Sequence, residues 1–103
     1  MDFQIRKAAV STTSNISEGY GRYHYKEGIQ FYRISRASLY ELKDHLLSCD
    51  DLNYINDGLK HEGEVLIESA KVTLNGYINF VKAKIKLWII KTLYLYTLYP
   101  YTL

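Results

Sequence analysis

The chain has 103 residues, 48% of them hydrophobic and 23% charged, with a net charge of +2. That suits one globular domain with a modest core rather than a disordered chain, and no global basic field announces a nucleic-acid partner, although basic patches remain open. The single cysteine, Cys49, excludes an intramolecular disulfide framework and fits a reducing, cytoplasmic setting, where it serves packing rather than nucleophilic attack. The start, "MDFQIRKAAV", has no secretory leader pattern. The only proline is Pro100, which argues for long helices and against an all-β fold.

The first predicted helix carries Ile5, Ala9, Thr12, Ile16 and Gly19 at steps of four and three. Ser11, Asn15, Glu18 and Arg22 form a polar stripe beside it. The Ser-Thr-Thr-Ser run at 11–14 forms helix poorly, so packing must hold it. Ala8, Ala9 and Gly19 are small enough for another helix to come close. Gly19, Gly21 and the "RYHYK" segment are expected to end the helix and form a loop.

A second helix is predicted from about Lys26 to about Leu52. Phe31, Ser38, Leu42 and Cys49 make a heptad-like seam, widened by Ile34, Leu46 and Leu52. Ile29, Tyr32, Leu39, Tyr40 and Leu47 lie towards another side. A helix apolar on two sides is contacted on two sides, and the second contact is expected to be another subunit. "NYINDGLKHEGE" reads as a turn, with the third helix starting near Lys60 to Glu62.

That third helix has the clearest period: Ile67, Ala70, Leu74, Tyr77, Val81, Ile85 and Trp88. Lys71, Asn75, Asn79, Lys82 and Lys86 are expected on its wet, basic face. The tail from Leu87 to Leu103 holds four of the eleven tyrosines and one charge, Lys91. It is at the short limit for a membrane span and is interrupted by a lysine. It is expected to extend the third helix or fold back, not to cross a membrane.

No constellation for catalysis emerges. His24, His45 and His61 lie on three segments without metal-ligand spacing. "EGYGR" has a G-x-G but no phosphate-loop lysine and no preceding strand. Glu18 with Asn15 and Glu41 with Ser38 each sit beside an apolar stripe. They could be a carboxylate pair for acid–base work, but a structural polar clasp of Asn15, Glu18, Ser38 and Glu41 is the simpler expectation. Substrate, cofactor and metal are therefore expected to be absent, and the chain is expected not to be an enzyme.

"QIRKAAVSTTSNISEGYGR" followed by "FYRISRASLYELKDHLL" resembles the four-helix-bundle family of 23S ribosomal RNA intervening-sequence proteins. The matched positions include Gln4, Ile5, Arg6, Ala8, Ala9, Val10, Ser11, Ser14, Asn15, Ile16, Glu18, Gly19, Gly21 and Arg22. Phe31, Ile34, Ser38, Leu39, Glu41 and Leu42 follow in the next helix, and "LNYI" resembles the turn after it. The resemblance implies an all-α, antiparallel up-down bundle, with three long helices here because the family's first helix is missing from this chain. It makes residues 1–86 the bundle domain and residues 87–103 a divergent Tyr/Leu-rich extension of the last helix, which could cover the face left open by the missing one.

It further implies a homo-oligomer, typically a pentamer, with no enzymatic activity attached to the family. The family is also similar to accessory proteins of diversity-generating retroelements, which bind nucleic acid and a reverse transcriptase through basic surfaces. RNA or a nucleoprotein is thus an expected partner. Arg6, Lys7, Arg22, Lys26, Arg33 and Arg36 are the candidate contacts, with Tyr20, Tyr23 and Tyr25 as stacking platforms. The alternative is a purely structural or protein-interaction bundle whose broad apolar faces are the working surface.

Overall fold

The computed structural model describes residues 2–22 and 24–98. Tyr23 and the end of the tail, including Pro100, lie outside them. Three helices follow in order: α1 (Asp2–Tyr20), α2 (Tyr25–Asp51) and α3 (Asp57–Leu98). Among the described residues there is no strand. The chain runs up, down and up in a slender body of 69 × 21 × 14 Å. The all-α, up-down expectation holds.

Helix α2 is the hub. It packs against α1 on one side and α3 on another, while α1 and α3 do not pack against each other. Its second apolar side therefore has its partner within the same chain, and another subunit is not needed to explain it. Ile29, Tyr32 and Leu39 of α2 meet Leu74, Ile78 and Val81 of α3 to form the core, with Leu42, Ala70, Tyr77 and Ile85 at its margin. Trp88, expected to continue this stripe, is 65% exposed because it lies where α3 leaves the end of α2.

The α1–α2 contact is built from small residues. Ala8, Thr12 and Gly19 are buried on α1, and Gly28, Ser35 and Ser38 on α2. The buried stripe is rotated by about one position from the expected one, leaving Ala9 and Ile16 outside it. Gly19 does not stop the helix. A Cβ there would lie 2.9 Å from the Gly28 carbonyl oxygen, and one on Gly28 would lie 2.9 Å from the Gly19 carbonyl oxygen. The two backbones touch at a point where only glycine fits. No described glycine has a positive φ.

Turn chemistry explains the α2–α3 boundary. Asn53 adopts the left-handed region (φ 59°) that asparagine tolerates better than most residues. Its N–H donates to the Asp50 carbonyl at 3.0 Å and the Tyr54 N–H to the Cys49 carbonyl at 2.8 Å. This pair of bonds is a Schellman motif, which closes the last turn of α2. Helix α3 then starts three residues earlier than the expected Lys60, because Asn56 caps it: the Leu59 N–H donates to Asn56 Oδ1 at 2.7 Å. Asp57 in the first turn suits the positive end of the helix. Lys60 Nζ reaches Asp50 Oδ2 at 3.0 Å and ties the two helix ends together. That hydrogen bond and charge hold the Lys60 ammonium above its ordinary range.

Candidate functional site

The small-residue faces that press α1 onto α2 also decide where their polar groups go. Ser35, fully buried, donates from Oγ to the Thr12 carbonyl at 2.7 Å. Ser11 and Ser38 hydroxyls bond each other at 2.8 Å. Asn15 Nδ2 donates to the Ser11 carbonyl at 2.7 Å and to Ser11 Oγ at 3.1 Å. Asn15 and Ser38 of the expected clasp thus share one cluster, with Ser11 as the link between them.

The two carboxylates are placed elsewhere. Glu18 pairs with Arg22 one turn on, at 3.1 Å, with both side chains largely exposed. Glu41 points along its own helix to His45 Nε2 at 3.6 Å. Each helix offers its carboxylate a partner four residues on, so neither crosses to the other helix, and the pair does not converge for acid–base work. Among the described residues no group of three or more His, Cys, Asp or Glu could hold a metal ion.

The six candidate nucleic-acid contacts fall in three places. Arg6 and Lys7 sit fourteen and thirteen positions before the end of α1 at Tyr20, about 20 Å along the helix. The Arg22 guanidinium lies 4.6 Å from the centre of the Phe31 ring as well as on Glu18. On α2, Lys26 and Arg33 are exposed, and Arg36 Nη1 donates to Asn75 Oδ1 of α3 at 2.8 Å. That bond sets the register. With 100° between successive helix positions, Lys26, Arg33 and Arg36 share a side of the α2–α3 pair with Lys82 and Lys86. The wet face expected for α3 is only partly wet: Asn75 receives Arg36, and Lys71 lies over the Tyr40 ring at 4.4 Å.

The opposite side of the molecule is largely apolar and open, with one charge on its α3 wall, Lys84, whose ammonium lies 5.3 Å from the centre of the Phe80 ring. Since α1 and α3 both pack on α2 but not on each other, a groove runs between them. Helix geometry puts Ile5, Ala9, Ile16 and Tyr20 on the α1 wall, and Leu66, Tyr77, Phe80 and Trp88 on the α3 wall. Of these, Tyr20 is 78%, Leu66 64% and Phe80 55% exposed. At the floor is a small recess of about 70 Å³ whose lining includes Gly19, Gly28, Tyr32, Tyr77 and Val81, with Arg22 as its one charged side chain. Tyr32 and Tyr77 meet edge to face there, ring centres 5.1 Å apart. Burial pushes the Tyr32 hydroxyl well above the usual phenol range, and its hydrogen bond to Tyr77 adds to this.

Past the groove, α3 continues as helix to Leu98. Ile85, Trp88 and Ile89 line an open cavity of about 670 Å³ with His24, Tyr25, Lys26 and Glu27. From Ile90 onward α3 runs clear of the other helices. As far as Leu98 the tail extends the third helix and does not fold back over the groove. No helix among the described residues is long and apolar enough to cross a membrane. Sequence periodicity missed the groove, because Ala9 and Ile16 fall on the expected core stripe until the depth of the α1–α2 contact is known.

A family model described as 23S rRNA-intervening sequence protein matches residues 1–76. Among curated proteins and among solved structures, no match to the chain was found.

Proposed function

The chain belongs to the 23S rRNA-intervening sequence protein family, and from that premise we propose that it is a non-catalytic helical module that works by self-association through the groove between α1 and α3. One observation carries this reading: a long, largely apolar groove is walled by helices that α2 holds apart, and none of the described residues covers it. Monomeric soluble proteins rarely leave contiguous apolar surface of this kind open. The polar groups nearby are engaged in fixing helix register, which supports scaffolding over chemistry.

Sedimentation equilibrium tests the reading. The full chain is expected to form a defined oligomer at micromolar concentration, and Ile16→Glu, at the groove wall, is expected to reduce it to a folded monomer. A native chain that sediments at its monomer mass of 12.1 kDa up to roughly 100 μM would overturn it, since a groove-driven assembly reaches Kd values of about 1 μM or tighter.

The second reading is RNA binding, and the shared face of Lys26, Arg33, Arg36, Lys82 and Lys86 favours it. It predicts an affinity that falls steeply with salt. Replacing Arg33 and Lys82 with glutamine would weaken binding without changing the assembly. Absence of binding at low salt would remove this reading.

A further inference from the structure

We propose that the open cavity at the start of α2 holds one base of an unpaired RNA strand against Trp88 and Tyr25, while the basic side of the α2–α3 pair carries the strand's phosphates. The inference rests on the RNA-binding reading and adds which form of RNA is taken and where a base is held.

Charge is divided unevenly along the molecule. Residues 41–68, the tip of the α2–α3 hairpin, carry eight acidic and two basic residues, and the remainder of the chain carries three and eleven. No acid follows Glu68, whereas Lys71, Lys82, Lys84, Lys86 and Lys91 do. The small net charge thus hides a strong polarity. A polyanion is drawn to the end where α2 begins and turned away from the hairpin tip.

The cavity lies at that basic end. At about 670 Å³ it is within the range of sites for small organic ligands. Ile85, Trp88 and Ile89 of α3 line it with His24, Tyr25, Lys26 and Glu27. Trp88 is 65% and Tyr25 56% exposed, so both offer ring surface to a ligand. The α3 wall lies past residues 1–76, where the family match ends, so the cavity draws on residues outside the matched segment. Register brings charge to its mouth. Arg36 meets Asn75 and Asp50 meets Lys60 across the antiparallel pair. Lys26 therefore stands at the level of about residue 85, close to Lys86, and Arg33 at that of about residue 78, roughly one turn from Lys82. Lys26 to Arg36 spans about 15 Å, a basic row that a strand's phosphates can follow to the cavity.

An unpaired strand suits this arrangement and a duplex does not. In an A-form RNA helix the base faces are stacked inside, so exposed rings would meet only sugar and phosphate. A single strand turns a base out onto an aromatic ring while its backbone follows a basic track. Glu27 is the one acid lining the cavity. It repels a phosphate but accepts a hydrogen bond from the exocyclic amino group of a base such as cytosine. The cavity therefore takes the base, and the lysines and arginines outside it take the phosphates.

The experiment uses the full chain, whose single tryptophan is Trp88, so indole emission reports on the cavity directly. A cytidine RNA of twelve nucleotides is titrated at low salt, beside a fully paired RNA duplex of the same length. The single strand is expected to quench Trp88 and to bind about tenfold more tightly than the duplex, which leaves the emission unchanged. Trp88→Ala and Tyr25→Ala, both at exposed positions, are each expected to weaken single-strand binding by about tenfold, the worth of one stacked base, with helical circular dichroism unchanged. Their salt dependence should remain that of the native chain, since no phosphate contact is lost. Arg33→Gln combined with Lys82→Gln should instead lower the salt slope by about two. Trp88→Phe keeps a ring and should recover most of the affinity. Two outcomes overturn the inference while sparing the RNA reading: a duplex bound as tightly as the single strand, or Trp88→Ala with native affinity, in which case the basic side alone holds the RNA. Binding of neither RNA at low salt overturns both. Capture by phosphatidylserine vesicles that the single strand does not displace also overturns the inference, because the basic end of α3 would then be a membrane contact.

Discussion

The two helix pairs that share α2 are held in different ways. Between α1 and α2, glycine meets glycine and serine meets serine. Backbones touch, and hydroxyls satisfy carbonyls within the contact. Between α2 and α3, larger apolar side chains interlock around Tyr32 and Tyr77, with a polar clamp at Arg36–Asn75 and another at Asp50–Lys60. The first pair gains stability from closeness and the second from volume. Closeness tolerates almost no added atom, whereas volume tolerates exchange but not removal.

That contrast can be broken from both sides. Tyr32→Ala should cost most, about 3–5 kcal/mol in urea unfolding, because it empties the centre of the α2–α3 core. Gly28→Ala adds one methyl and should still cost about 1–3 kcal/mol, since its Cβ would lie 2.9 Å from a backbone oxygen that cannot turn aside. If Gly28→Ala proves neutral, the glycine contact is not what joins α1 to α2. Ser35→Ala keeps the small volume and loses only the bond to Thr12, so about 1 kcal/mol is expected.

Alkaline titration sharpens the same comparison. The Tyr32 hydroxyl is raised in the folded state, so the folded protein holds its proton more tightly than the unfolded chain does. Its contribution is complete below the unfolded value of about 10 and is lost as pH rises past it. Tyr32→Phe should flatten the fall in stability above that pH, measured by denaturant midpoints from pH 8 upward. The smallest effect on the isolated subunit is expected from ending the chain after Lys86. Among the described residues removed, nearly all are exposed, so helix unfolding at low protein concentration should shift little.

Much of the fold is legible in the residues themselves. The period of Ile67, Ala70, Leu74, Tyr77, Val81 and Ile85 sets the buried face of α3, and each of these residues is at least half-buried. The family is legible in "SNISEGYGR" and the following helix, and the family match covers that stretch. Less is legible in the candidate sites. Glu18 and Glu41 look suited to bridging helices, yet each finds a partner four residues along its own helix. Ser35 and Gly28 carry no apolar signal, so a periodicity reading passes over the two residues that let α1 come close. Asn56 sits within a run of turn residues, and only its capping bond shows that the helix begins there.

The sequence by itself determines that this is an all-α chain of three long helices and that its end is rich in leucine and tyrosine with Lys91 as its one charge. Those features depend on local spacing and composition. The tertiary structure decides that α2 lies between the other two, that Gly19 serves contact rather than termination, and that an open groove separates α1 from α3. Those features depend on how near two backbones can come. That distance follows from pairs of residues far apart in the chain, such as Gly19 with Gly28 and Ser11 with Ser38, which no local pattern brings together.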